Sequence, residues 1–382
     1  MKKGVVVFSV LLVCLALTYS YNVYAAAEPY KVGCLVPLTG YSSWVGVLAK
    51  EGAELQVDLI NKAGGVNGRP LQLILYDTQS KPEEAIRAAQ RLLTRDGVIA
   101  MTGSDSVPIM APVFALANQK KIPAVLSGGY PVDPKKEPYS FNVSHPSEFA
   151  VAVPFHYFKK KNMTKIAFLM PIGSLGELGT KLGHKVAGEL GIRILGEEKF
   201  EPTSPDITPQ LAKLKALDPA VMFSFSTGEH AAMVVKSMAQ LNMTMPVQLS
   251  HGNATKGFLK MVSNLPAFIV LPSGKISVVD ELSDADPMKK PLQNFNKQYI
   301  ERYKEPCSYY AGQAADFISV LAEGLKLAGT SDPVKVRDSI ERVKGLIGNN
   351  GIFNMSPDDH YGLKMEDMVS ITIKDGKWAL LK

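Results

Sequence analysis

The sequence predicts an α/β protein of two parallel-sheet lobes joined by a hinge, with a ligand cleft between them. Three observations predict it. From Tyr30 onward, short apolar runs alternate with amphipathic helical stretches, the pattern of β-α-β units. The alternation runs through twice, starting afresh after Pro146. The last third then supplies helices without a sheet of their own, which must return to cover the lobes already begun.

In the first lobe Lys31–Pro37 reads as a strand. A helix from about Ser43 to Asn61 follows, with Val47, Leu48, Leu55, Leu59 and Ile60 recurring at the spacing of one buried face. The turn Gly64-Gly65-Val66-Asn67-Gly68-Arg69-Pro70 stops it. Leu71–Asp77 reads as the next strand. After Lys81-Pro82 a helix turns Ile86, Ala89, Leu92 and Leu93 inward, and Val98–Thr102 reads as the third strand. A helix over Pro108–Asn118 and a strand over Pro123–Leu126 complete the lobe.

The second lobe repeats the plan. It reads as helix Glu148–Lys160, strand Lys165–Met170, helix Leu175–Leu190 and strand Ile192–Phe200. Thr208 is the expected cap of the next helix, with Pro209 at its first position, where the missing N–H is not needed. Strand Ala220–Phe225, helix Glu229–Leu241 and strand Pro246–Ser250 finish the series. Beyond them the sequence predicts a strand near Phe268–Leu271 and helices around Pro287–Tyr303, Tyr309–Leu327 and Pro333–Lys344. A final hairpin pairs Met368–Lys374 with Lys377–Leu381 through Asp375-Gly376. Expected boundaries are a signal peptide over 1–27, one lobe of 28–144 plus 275–358, and another of 145–274 plus 359–382.

Composition narrows the function. The chain has 382 residues, 46% of them apolar and 20% charged, which excludes a disordered, collagen-like or coiled-coil protein. Lys2 and Lys3 precede an apolar run from Val5 to Leu17, too short to span a bilayer, and Ala25, Ala26 and Ala27 then offer small residues for cleavage. A secretory signal and a periplasmic or secreted location are therefore expected. The formal charge of +6 includes those two lysines, and no basic block is interleaved with aromatics, so no nucleic-acid partner is expected. Cys14 falls in the apolar run after Val13, not after the small residue that lipoprotein processing requires. Cys34 and Cys307 are expected as free thiols, and no Cys/His spacing suggests a metal site.

Catalytic signatures are missing: no G-x-S-x-G, P-loop, H-E-x-x-H or strand-linked G-x-G-x-x-G is present, and no cofactor is implied. What remains are polar loops after predicted strands, where open parallel sheets bind ligands. Gly103-Ser104-Asp105-Ser106 follows the third strand, so Ser104 and Ser106 could donate hydroxyls and the helix N-terminus amides; Asp105 could equally cap the helix. Ser127-Gly128-Gly129-Tyr130 repeats the arrangement after the fourth strand, and the two loops together suggest a carboxylate cradle. Gly173 to Gly179 lies between a strand and a helix and is either a tight turn or an anion-facing terminus.

The run Gly52-Ala53-Glu54-Leu55-Gln56-Val57-Asp58-Leu59-Ile60-Asn61-Lys62-Ala63-Gly64-Gly65-Val66-Asn67-Gly68-Arg69-Pro70, with Asp77 after the next strand, resembles the periplasmic leucine/isoleucine/valine-binding proteins. The resemblance extends through Tyr309-Tyr310-Ala311-Gly312 to the terminal hairpin. It implies the type I periplasmic-binding-protein fold: two Rossmann-like lobes with three crossings, trapping a small solute for an inner-membrane ABC permease. By position it assigns Trp44 over the ligand side chain, and Ser104–Ser106 with Ser127–Tyr130 around the ligand carboxylate. Leu175 stands where amino-acid binders carry a tyrosine. Ser226 and Thr227 fall in the next ligand-facing loop. At Ser250-His251-Gly252-Asn253 the family's amino-acid binders present an acid to the ammonium, and here His251 and Asn253 stand instead. An ammonium without an ionised partner in a closed cleft would carry a desolvation cost of several kcal/mol. An organic or aromatic acid, or an amino-acid-like or neutral amide-like solute, is therefore expected. Two other classes, a ligand sensor acting through a separate membrane partner and a secreted α/β enzyme, are the alternatives.

Overall fold

A computed structural model describes residues 28–382; the expected signal peptide at 1–27 lies outside the described residues. The chain builds two main sheets. The first is five-stranded and wholly parallel, in the order β2-β1-β3-β4-β5, with β1 Tyr30–Val36, β2 Leu71–Asp77, β3 Ala100–Ser104, β4 Ala124–Ser127 and β5 Ser140–Asn142. The second is seven-stranded, in the order β14-β13-β10-β9-β8-β6-β7. Its parallel part comprises β6 Lys165–Pro171, β7 Arg193–Phe200, β8 Val221–Ser224, β9 Val247–Leu249 and β10 Ile269–Gly274. The hairpin of β13 Met368–Lys374 and β14 Lys377–Leu380 joins β10 antiparallel, its Asp375 and Gly376 both at positive φ as the tight turn requires. A small ribbon of β11 Leu346–Ile347 and β12 Ile352–Phe353 stands apart.

Central strands read as continuous apolar runs because helices cover both faces of a parallel sheet: β3, β4, β8 and β9 are buried along their whole length. The last third of the chain returns to the first sheet. Ala314, Phe317, Ile318 and Leu321 from the helix Tyr309–Ala328 join Val32, Val36, Ala49 and Ala53 in one core. That helix lies against the helix Ser43–Lys62, whose buried face is Gly46, Ala49, Gly52, Ala53, Leu55 and Val57. Val47, expected inward, is instead 45% exposed, outside that face. A Cβ on Gly52 would lie only 2.0 Å from the carbonyl oxygen of Ala311.

Three further expectations change. Thr208 lies inside its helix, Thr208–Lys215, and its N–H donates to Asp206 Oδ1 at 2.9 Å, so the aspartate does the capping. The short strand β5 and the seven-residue helix Lys256–Val262 were not legible, being too brief to show a period. Residues 359–363, expected in the second lobe, pack on the first. His360 Nδ1 meets the carbonyl of Ser140 at 2.7 Å, its ring stacks 4.0 Å from Phe141, and Leu363 enters the first core. Residues 275–281 are shared: Ile276 and Val279 join Leu55 and Met288 of the first lobe, while Val278 joins Ile371 of the second. Cys34 and Cys307 are buried free thiols in different apolar clusters, and burial pushes the Cys34 thiol up to about 12.

Candidate functional site

In the first lobe the carboxyl ends of β1 to β4 carry a connected polar network. Ser104 and Ser127 are register partners across β3 and β4, so their side chains sit side by side on one face of the sheet edge. Both are buried, and Ser127 Oγ has no protein partner. Asp105 accepts from Thr78 Oγ1 at 2.6 Å and from the N–H of Ser106 at 2.7 Å. Burial raises its carboxyl above the ordinary value even against those donors. Both oxygens of Asp105 are thus engaged within its own lobe. Ser106 precedes the helix Val107–Lys120 and shares a 2.7 Å hydrogen bond with the hydroxyl of Tyr41.

The loop after β4 is only partly a cradle. The N–H of Gly128 donates to Ser144 Oγ at 2.7 Å and its carbonyl accepts from Asn142 Nδ2, so Gly128 is occupied by the lobe itself. Gly129 is the exposed member. Tyr130, expected at the ligand, makes its contacts within its own lobe. Its ring stacks on Phe114 at 4.7 Å and its hydroxyl donates to Glu137 at 2.6 Å, a better environment for a half-apolar side chain than an open loop.

The second lobe brings β8 and β9 to the same region. Thr227 precedes the helix Gly228–Gln240, and His251 opens a 3-10 turn over His251–Asn253. His251 Nδ1 is buried without a partner, and its ring lies 6.2 Å from Phe225 and 6.0 Å from Tyr309. Asn253, expected at the ligand, is a brace instead. Its Nδ2 donates to the carbonyls of Ser226 and Ser250, and its Oδ1 accepts from the N–H of Gly228, which uses its hydrogen-bonding capacity in holding two loops together. Ser226 is likewise internal, its hydroxyl 3.0 Å from that of Ser224 and fully buried. Leu175 is half-buried against the apolar cluster of Phe168, Phe223 and Phe225. The glycines of that segment serve packing: a Cβ on Gly176 would strike the carbonyl of Pro171, and one on Gly179 the side chain of Phe225.

Between the lobes the expected Trp44 meets residues that sequence reasoning had not assigned to the site. Trp44, 44% exposed in the first turn of its helix, lies edge-on to Tyr310 at 5.3 Å. Tyr310 donates to the carbonyl of Gly252, and Tyr309 lies between His251 and His145, its hydroxyl 3.2 Å from His145 Nδ1. The signal for the tyrosine pair was the N-cap Ser308, whose Oγ accepts from the N–H of Ala311 and fixes where the helix and its two aromatics begin. Behind them Asp316 is fully buried and accepts from the backbone and side-chain nitrogens of both Asn349 and Asn350, at 2.6 to 3.2 Å. Burial pushes its carboxyl up to about 7, opposed by those four donors. Asn350 Oδ1 also lies 2.4 Å from where a Cβ on Gly274 would stand, so the clasp reaches the chain crossing at the end of β10.

Burial holds both inter-lobe imidazoles neutral, His145 down to about 3, helped by the neighbouring His251, and His251 down to about 4. In the unfolded chain each regains a pKa near 6.5. As pH falls below that value the unfolded state takes up protons that the folded state refuses. Stability therefore declines from pH 6.5 down to about 4 for His251 and about 3 for His145, by at most ~1.4 kcal/mol per pH unit per histidine. We expect urea midpoints to show this acid slope and His145→Asn to flatten it; identical slopes would contradict the assignment.

Two lobes with a shared segment at 275–281 and polar loops from each are the architecture of a two-lobed binding protein. A family profile described as periplasmic binding protein matches residues 29–377, and the chain belongs to that family. The leucine-, isoleucine-, valine-, threonine- and alanine-binding protein of Pseudomonas aeruginosa is 24% identical over 352 residues, covering 89% of each chain. Among solved structures, an extracellular ligand-binding receptor from Rhodopseudomonas palustris superimposes with a TM-score of 0.82 at 24% identity, covering 93% of this chain and 99% of that one. The branched-chain amino acid transporter substrate binding protein of Streptococcus pneumoniae, in complex with isoleucine, gives 0.76 at 21% identity over 93% and 99%. At these identities the structural likeness carries the type I two-lobed fold. No helix among the described residues is long and apolar enough to cross a membrane.

Proposed function

We propose that this protein is the extracytoplasmic solute-binding component of an ABC importer, and that its solute bears a carboxylate but no α-ammonium: an organic or aromatic acid. The first part is supported by the family and by the named transport role of the pneumococcal relative. The second is supported by one observation. Asp105 of the first lobe already accepts from Thr78 and Ser106, while His251 of the second lobe carries a buried, unpartnered ring nitrogen. A neutral imidazole, the hydroxyl of Ser127 and the terminus of the helix at Val107 favour an anionic oxygen, and the carboxylate nearest them is already held by two donors of its own lobe.

Trp44→Ala and His251→Ala are each expected to weaken binding about 10-fold, the value of one hydrogen bond or aromatic contact of ~1–1.5 kcal/mol, with unfolding midpoints little changed at neutral pH. Titration calorimetry with branched-chain amino acids, aliphatic acids and aromatic acids tests the class. Binding confined to the acids supports it, and tight leucine binding would overturn it.

A further inference from the structure

Several contacts join the two lobes through protein groups alone. Gly252 and Lys256 follow β9 in the second lobe; Glu305 and Tyr310 flank the start of the helix Tyr309–Ala328 in the first. Tyr310 donates to the carbonyl of Gly252 at 3.4 Å, and four residues further on Lys256 pairs with Glu305. Trp44 and Tyr309 hold the Tyr310 ring edge-on from two sides, at 5.3 and 5.8 Å. Position 252 has no room for a side chain, since a Cβ would lie 3.2 Å from the Tyr310 hydroxyl and 2.7 Å from Thr227 Cγ2.

We infer that Tyr310, Gly252 and the Lys256–Glu305 pair form a clasp between the lobes that stabilises the closed form before any solute arrives, so that affinity is set in part by residues that touch no solute. A binding protein can close only as far as closed-state contacts outweigh open-state hydration, and contacts independent of solute raise the closed fraction for every ligand alike. The ion pair is the salt-sensitive half of the clasp. Its side chains are 60% and 50% exposed, so it is screened as the Debye length shrinks from ~30 Å at about 0.01 M salt to ~3 Å at about 1 M. The tyrosine bond is the insensitive half.

The test uses the full mature chain, extensively dialysed, with donor and acceptor dyes on cysteines replacing exposed Lys120 and Glu189, one on each lobe; the native thiols are buried. Single-molecule energy transfer reads the closed-to-open ratio without ligand. At low salt Lys256→Gln is expected to lower that ratio about 2- to 5-fold, and Tyr310→Phe about 2- to 10-fold. High salt should remove the difference between wild type and Lys256→Gln but not that made by Tyr310→Phe. Lys256→Glu should open the protein and Lys256→Glu with Glu305→Lys should close it again, a rescue that a merely structural role would not produce. Ratios unchanged in Lys256→Gln and Tyr310→Phe at every salt concentration, or a charge swap that fails to rescue, would overturn the clasp. Lys256 is a surface residue, so its variants keep the question open to refutation even if Tyr310→Phe folds poorly.

Discussion

Gly52→Ala is expected to destabilise the protein by more than the ~1–3 kcal/mol typical of overpacking. The added methyl would sit 2.0 Å from the carbonyl oxygen and 2.7 Å from the carbonyl carbon of Ala311, which are backbone atoms of a helix that cannot rotate out of the way. Relief requires the helices Ser43–Lys62 and Tyr309–Ala328 to move apart, which opens the core around Ala49, Ala53, Ala314 and Phe317. The same substitution at Gly188, an exposed helical position with nothing within 4 Å, should instead raise stability by ~0.5–1 kcal/mol through helix propensity. Denaturant unfolding of the two variants checks both signs. Equal effects would mean that the close helix crossing is not as described.

Asp316→Ala should lower stability by roughly 2–6 kcal/mol, because it strands the buried N–H groups of Asn349 and Asn350 at about 1–3 kcal/mol each. Its consequence extends to function. Asn350 abuts Gly274 at the end of β10, where the chain crosses between lobes, so losing the clasp frees a segment on which closure turns. Asp316→Asn keeps the volume but exchanges an acceptor oxygen for a donor nitrogen that faces donors, and should rescue less than half of the loss. Calorimetric unfolding of both variants measures this; full stability in Asp316→Ala would show that the four hydrogen bonds are individually dispensable.

Which parts of this protein were legible in its sequence follows from where information is local. Strands such as Val221–Ser224 and Met368–Lys374 announce themselves because both faces of a parallel sheet, or one face and a tight Asp-Gly turn, dictate their composition over several residues. The inward face of Ser43–Lys62 was misread at Val47 because helix proximity favours small residues, and glycine and alanine carry no hydrophobic period. Loops after strands located the site, yet within them side-chain direction depends on distant partners. Tyr130 finds Phe114 and Glu137, and Asn253 finds Ser226, Ser250 and Gly228, none of which adjacency in sequence could supply. Tyr309 and Tyr310 reach the cleft only because the last third of the chain returns to the first sheet. A lone aspartate within an apolar helix and an Asn-Asn pair far along the chain were the available hint of the Asp316 clasp.

The central claim is that a hinged pair of lobes holds a small anionic solute, with no α-ammonium, between them and returns it chemically unchanged. Mass spectrometry of the molecule released when freshly purified protein is unfolded tests this most directly. The account predicts an intact carboxylic acid without an amino group; release of leucine, isoleucine, valine or another α-amino acid would contradict it.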